Sequence, residues 1–244
     1  MFDRGTTLDA LREGEIEIVG RIVASSNNAM LVTVTRICPD PEPAFVLDAI
    51  YKPTLGERPL DDFPDGTLAR REVAAWHISE ASGWGIVPPT ILRDGPFGEG
   101  MVQAFVEADP DVDVVAMVIE DDARLRRMAV LDAVMNNTDR KGGHILPVDG
   151  GRHVYGVDHG VTFSPVPKLR TVLWGWRGAG LDPDEIEGLE RIKVALDGDL
   201  PDALAGLLSR PEIRATARRT NALLTSGRFP FPSPDWPAVP WPPF

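Results

Sequence analysis

Two aspartates, Asp139 and Asp158, lie in turns punctuated by glycine and flanked by apolar runs long enough for buried strands. The first stretch reads Asn136-Asn137-Thr138-Asp139-Arg140-Lys141-Gly142-Gly143-His144, and the second Val157-Asp158-His159-Gly160. His144 stands five residues after Asp139, and Asp158 nineteen after it. Phosphoryl transfer from ATP asks for such a set. One carboxylate orients and deprotonates the attacking hydroxyl, while a second, helped by a neutral ligand, holds a divalent ion on the phosphates. Asp139 suits the first place; Asp158 and His144 suit the second.

Residues 131–140 resemble the catalytic loop of type II phosphatidylinositol 4-kinases and their bacterial relatives, and Val157-Asp158-His159-Gly160 is similar to their metal-binding Asp-x-Gly turn. Toxin kinases of the HipA type have a related Asn-Thr-Asp-Arg run. The resemblance covers roughly residues 21–177. It implies an α+β, two-lobed protein-kinase-like or phosphatidylinositol-kinase-like fold, with a β-rich N-lobe and a mainly helical C-lobe. It further implies ATP with Mg²⁺ or Mn²⁺, catalytic Asp139 and Arg140, and metal ligands His144 and Asp158.

The loop departs from that pattern twice. Kinases commonly place Asn five residues after the base, where its amide oxygen binds metal. Here the residue is His144, whose neutral imidazole is softer and better matched to Mn²⁺. Lys141-Gly142-Gly143 is the second departure, and Lys141 either steadies the γ-phosphate or faces solvent. Asp132, inside the preceding helix, reads as a structural hydrogen-bonding residue.

The elements that must position these groups follow from periodicity. A lead-in helix over 6–14 ends at Gly14, and alternating strands at 16–23 and 30–34 flank a turn through Ser25, Ser26, Asn27 and Asn28. In the resembled fold that turn lies over phosphates, although it carries no glycine. A third strand, 45–53, ends on Lys52, the position of the lysine that neutralises α and β phosphates. Thr67 opens a helix running to Ser82, closed by Gly83. It bears Glu72, twenty residues after Lys52 and placed to pair with it. Gln103-Ala104-Phe105-Val106 is similar to the Gln-x-Phe-Val hinge that holds adenine through its backbone, so Gln103, Phe105 and Val106 join the nucleotide-binding set.

Asp121 and Asp122 are expected to cap a helix with a core-facing stripe of Leu125, Met128, Ala129 and Ala133. Residues 164–178, with Lys168, Arg170, Trp174, Trp176 and Arg177, take the place of an activation or substrate loop; the tryptophans either meet substrate or pack in the core. Helices are expected from Pro183 to about Leu196, over 201–208, and from Pro211. Residues 229–244 hold seven prolines interleaved with Phe231, Trp236, Trp241 and Phe244. Such a tail runs extended and either straps across the globule or docks a protein partner. The expected division is an N-lobe over 1–108, a C-lobe over 109–228 and the tail over 229–244.

Composition sets the outer limits. With 244 residues, 43% of them hydrophobic, the chain can bury a substantial core. A formal net charge of −12 argues against a broad electrostatic grip on nucleic acid or anionic lipid. The single cysteine, Cys38, suits a reducing cytoplasm. No apolar run approaches a membrane span, and stable membrane association is not expected. The reading is a cytoplasmic ATP-dependent phosphotransferase acting on a hydroxyl of a soluble small molecule or a protein. The alternative is a nucleotide-binding pseudokinase serving as a regulatory interaction module, and a third reading is transfer of AMP.

Overall fold

The computed structural model describes residues 3–22, 28–38 and 43–244. Helix α1 (Arg4–Glu13) begins where the Asp3 carboxylate accepts from the Thr6 amide and ends at Gly14, which brings Leu8 and Leu11 into the core. Five antiparallel strands follow: β1 (Glu15–Arg21), β2 (Met30–Arg36), β3 (Phe45–Pro53), β4 (Thr90–Gly95) and β5 (Gly98–Ala104). They lie in the order β1-β2-β3-β5-β4. Alternation decides which side chains turn inward. Val32, Val34, Ala49 and Tyr51 are completely buried, whereas the edge strand β1 is largely exposed. Close pairing of β3 with β5 needs Gly100, because a Cβ there would sit 2.4 Å from the Lys52 carbonyl oxygen.

Helix α2 (Leu68–Ser82) has the bounds its pattern predicts, and Gly83 closes it with φ 75°. Its start is held differently from expectation. The Thr67 side chain makes no cap; the Glu57 carboxylate accepts from the amides of Leu68 and Ala69 instead. An anion from eleven residues upstream meets the positive end of the helix.

The remainder is mainly helical. Helix α3 (Val114–Ile119), which periodicity did not suggest, leads into a 3₁₀ turn at Ala123–Leu125 and then α4 (Arg126–Met135). Asp122 caps the 3₁₀ turn, while Asp121 adopts φ 53° and caps nothing. Strands β6 (Ile145–Val148) and β7 (His153–Gly156) form a hairpin between the two functional loops. Helices α5 (Pro183–Asp197) and α7 (Arg210–Ser226) each begin with a capping box and a proline in the first turn. Between them α6 (Leu200–Leu204) is shorter than the 201–208 pattern suggests. One apolar cluster runs through both halves, from Val32 and Tyr51 through Ala75 and Ile78 to Leu131 and Leu189. The architecture is the α+β arrangement expected, a five-stranded sheet followed by a mainly helical half.

Residues 229–244 strap across the globule. The Ala238 carbonyl accepts from the Thr171 amide at 3.1 Å and from Trp174 Nε1 at 2.8 Å. The Pro243 carbonyl accepts from the Gly142 amide at 2.8 Å, and the Phe244 ring lies so close that a Cβ on Gly142 would sit 2.2 Å from it. Trp174 is therefore spent on the tail. Trp176 packs against Phe229 and beneath the Arg126 guanidinium, which favours the core reading of the pair.

Candidate active site

Lys52, at the end of β3, donates to Glu72 Oε1 at 2.6 Å and to Asp158 Oδ1 at 2.9 Å. Glu72 reaches it from the second turn of α2, and its other oxygen accepts from the His159 amide at 2.8 Å. The sheet, the helix and the Asp158 turn thus meet on one ammonium. Burial alone would lower the Lys52 pKa; Asp158 and Glu72 reverse this and hold it well above its ordinary value. Lys52 holds Asp158 far below the usual carboxylate range, against the opposing effect of burial. Burial raises Glu72 against the pull of Lys52. Asp158 itself adopts φ 61°, a left-handed backbone that is sparsely populated and recurs at functional turns.

The Asp139 loop is built outward from the end of α4. Asn136 stops that helix with φ 55°. Its side-chain amide donates to the Ser164 and Val166 carbonyls, and its oxygen accepts from the Lys168 amide. Asn137, completely buried, donates to Asp132 Oδ1 at 2.9 Å and accepts from the Asp139 amide at 3.0 Å. Asp132 has the structural role its place in the helix suggested. Asp139 is left with a half-buried side chain facing Lys141 Nζ at 3.2 Å. Lys141 therefore turns toward the candidate base.

Arg140 corrects the sequence reading. Its guanidinium is completely buried, with Nε 3.0 Å from Asp132 Oδ2 and Nη2 2.9 Å from Asp132 Oδ1. It also donates to the carbonyls of His144 and Val157 and lies 2.6 Å from His159 Nε2. With every face occupied by protein, Arg140 ties the Asp139 loop to the Asp158 turn and is a positioning residue. Burial, reinforced by Arg140, holds His159 neutral, well below its ordinary pKa, so its Nε2 can accept from Arg140.

His144 Nε2 lies 3.3 Å from Asp158 Oδ2. Burial lowers the His144 pKa, opposed by Asp158. A neutral imidazole beside an ionised carboxylate offers two donors to one divalent ion. No group of three or more His, Cys, Asp or Glu side chains suited to a metal occurs among the described residues. The pair fits an ion that brings further oxygen ligands from phosphates, as Mg²⁺ and Mn²⁺ do on nucleotides, and does not fit a self-sufficient protein cage.

The remaining nucleotide residues divide. Ser25, Ser26 and Asn27 lie outside the described residues. Gln103 is buried, its side chain donating to Thr90 Oγ1 at 2.8 Å, and the Phe105 amide donates to the Asp48 carbonyl at 3.0 Å. These donors are committed to holding β5 between its neighbours. The Val106 amide has no acceptor among the described residues, so its donor is left available.

Sequence reasoning missed Arg71 and Arg58. Arg71 is buried beside Glu72, bonded to Glu212 at 2.5 Å and to the Thr162 carbonyl at 2.6 Å, with the Phe63 ring beneath it. It latches α2 to α7. Arg58 lines a cavity of about 210 Å³ together with Lys52, Glu72, Asp139 and Asp158. A cation one residue after the carboxylate that caps α2 carries no local signal of its own.

Comparison with known proteins places this geometry. No protein-family model matches the chain. Protein Rv2133c of Mycobacterium tuberculosis (strain ATCC 25618 / H37Rv) is 41% identical over 270 aligned residues, spanning 96% of this chain and 94% of that protein. The chain belongs to the Rv2133c family. For this member of the Rv2133c family, the fold likeness is to kinases. The structure of hydra Fam20 with sugar superposes with TM-score 0.57 at 13% identity, covering 93% of this chain and 89% of the other. The Helicobacter pylori proinflammatory kinase CtkA superposes with TM-score 0.50 at 12% identity, covering 90% and 94%. At those identities the likeness establishes a kinase-like fold. Among the described residues no helix is long and apolar enough to cross a membrane.

Proposed function

We propose that this chain is an ATP-dependent phosphotransferase that moves the γ-phosphate to a hydroxyl. The observation that carries the reading is Lys52 held at once by Glu72 at 2.6 Å and Asp158 at 2.9 Å. A lysine paired with a helix glutamate beside a metal-binding aspartate is the arrangement that kinase-like sites need for phosphoryl transfer. In this reading Lys52 takes the α and β phosphates, the Val106 amide faces adenine, and Asp158 with His144 holds Mg²⁺ or Mn²⁺. The ion would draw charge from the transferring group. Asp139 accepts the proton of the acceptor hydroxyl, with Lys141 Nζ 3.2 Å from its carboxylate and Arg58 on the wall of the same cavity. The finer likeness to type II phosphatidylinositol 4-kinases rests on the motif residues alone. The acceptor in this reading is a soluble small molecule or a protein.

The test is incubation of the purified chain with ATP and Mg²⁺ or Mn²⁺, with intact-mass and acceptor-panel readouts. Asp139→Asn should leave ATP affinity within a few-fold and cut transfer by ~10²-fold or more, the usual scale for a general base. His144, standing where kinases carry an amide, favours a second reading, a nucleotide-binding pseudokinase. Binding of ATP and metal by the parent without hydrolysis, acceptor labelling or AMP transfer would replace the first reading with the second.

A further inference from the structure

A groove of about 480 Å³ lies on the helical half, away from Lys52 and Asp158, between α4, α7 and the start of the tail. Ala133, Leu169, Leu223, Phe229 and Phe231 give it apolar walls, and Arg219 lines it with them. Its volume falls in the range of small-molecule sites, which pair apolar walls with a few placed polar groups.

Arg219 is the unusual member. It donates to the Val134 carbonyl at 2.7 Å, the Ser164 carbonyl at 3.2 Å and Thr216 Oγ1 at 3.2 Å, all of them neutral acceptors. No carboxylate pairs with it among the described residues, whereas Arg71 and Arg140 each hold one and Arg126 holds two. A guanidinium has five N–H donors, so these three bonds leave capacity for an anion. Val134 belongs to the last turn of α4, whose carbonyl ends supply partial negative charge and meet part of the demand. Burial and the neighbouring Arg218 nonetheless press the Arg219 pKa down to about 10. A cation kept among apolar walls without a counter-ion is costly, and a bound anion would relieve it.

We propose that this groove binds an amphipathic organic carboxylate, with the anionic head on Arg219 and the apolar body along Leu169, Leu223 and Phe231. Arg228 also lines the groove, but it is exposed and donates to the Gly178 carbonyl at 2.9 Å; Arg219 is the partly buried cation among the apolar walls, and it complements a carboxylate head carried on an apolar body. Asn136 also lines the groove while holding the Ser164 and Val166 carbonyls, three residues before Asp139. The site is independent of ATP, so its test needs no turnover.

The full chain would be titrated by calorimetry with sodium decanoate below its micellar range, with decanol and sodium butyrate as controls. Decanoate should bind, and each control, lacking head or body, should bind at least about tenfold more weakly. Arg219→Gln should weaken decanoate by about tenfold or more, the scale of a charge-assisted hydrogen bond. If that variant does not fold, Ala222→Trp, which fills the groove from its exposed rim, should remove binding by itself. Equal binding of decanoate and decanol, no binding of decanoate, or unchanged affinity in a folded Arg219→Gln or Ala222→Trp protein would overturn the proposal.

Discussion

Replacing Arg140 with Met tests whether the two functional loops are held together from inside the protein. The side chain is fully buried and its partner Asp132 is equally inaccessible, so the variant leaves a carboxylate in the core with only Asn137 to meet it. Breaking a buried pair from one side costs about 3–5 kcal/mol. The carbonyls of His144 and Val157 lose a donor at the same time, which adds to that loss. For a chain of this size each kcal/mol moves Tm by about 2–4 °C, so a fall of roughly 6–20 °C is expected. Asp132→Asn should cost a similar amount, because it strands the guanidinium instead. In the double variant both charges are gone, and the loss should be smaller than the sum of the singles by roughly 2–3 kcal/mol. The assay is urea unfolding of the four proteins, analysed as a double-mutant cycle. Additive losses, or an Arg140→Met cost below about 1 kcal/mol, would refute the argument.

The remaining expectations are shorter. Asp158 has a depressed folded pKa, so its pairing with Lys52 contributes stability above the ordinary carboxylate pKa of about 3.9 and loses it as pH falls through the lower folded value. Urea unfolding between about pH 2 and 6 should therefore show a shallower acid decline in Asp158→Asn than in the parent; parallel declines would contradict the pairing. His144→Asn should shift metal preference from Mn²⁺ toward Mg²⁺ in nucleotide-binding titrations, and identical titrations would show that His144 is no ligand. Lys52→Met should weaken ATP binding while far-UV circular dichroism stays unchanged; ATP affinity equal to the parent would remove Lys52 from the nucleotide site.

Much of the site is legible because its signals are local. A strand ending on Lys52, a helix bounded by Thr67 and Gly83 and two glycine-punctuated aspartates can each be found within a window of about one element. What escaped depends on distant partners. Arg71 reads as one more helix charge until Glu212, 141 residues away, supplies its counter-ion. The Phe105 amide looks available for adenine until the sheet register sets it against Asp48. Arg140 joins the catalytic set only through the resemblance of the Asn137-Thr138-Asp139-Arg140 motif. Asp132, a charge amid the apolar residues of α4, was the one sequence sign that something buried would have to answer it.

The Arg71 latch has a mechanical consequence. In kinase-like folds, the helix that carries the lysine's glutamate partner is a common control point, because its position decides whether the ion pair forms. Here that helix is bolted to α7 through Arg71 and Glu212, one residue from Glu72. Swinging it outward would break a buried pair at about 3–5 kcal/mol, which holds the displaced form to roughly one molecule in a hundred to one in several thousand. A modest ligand contact or a single surface modification falls short of that sum. Held this way, the helix works as a fixed strut that keeps Glu72 within reach of Lys52.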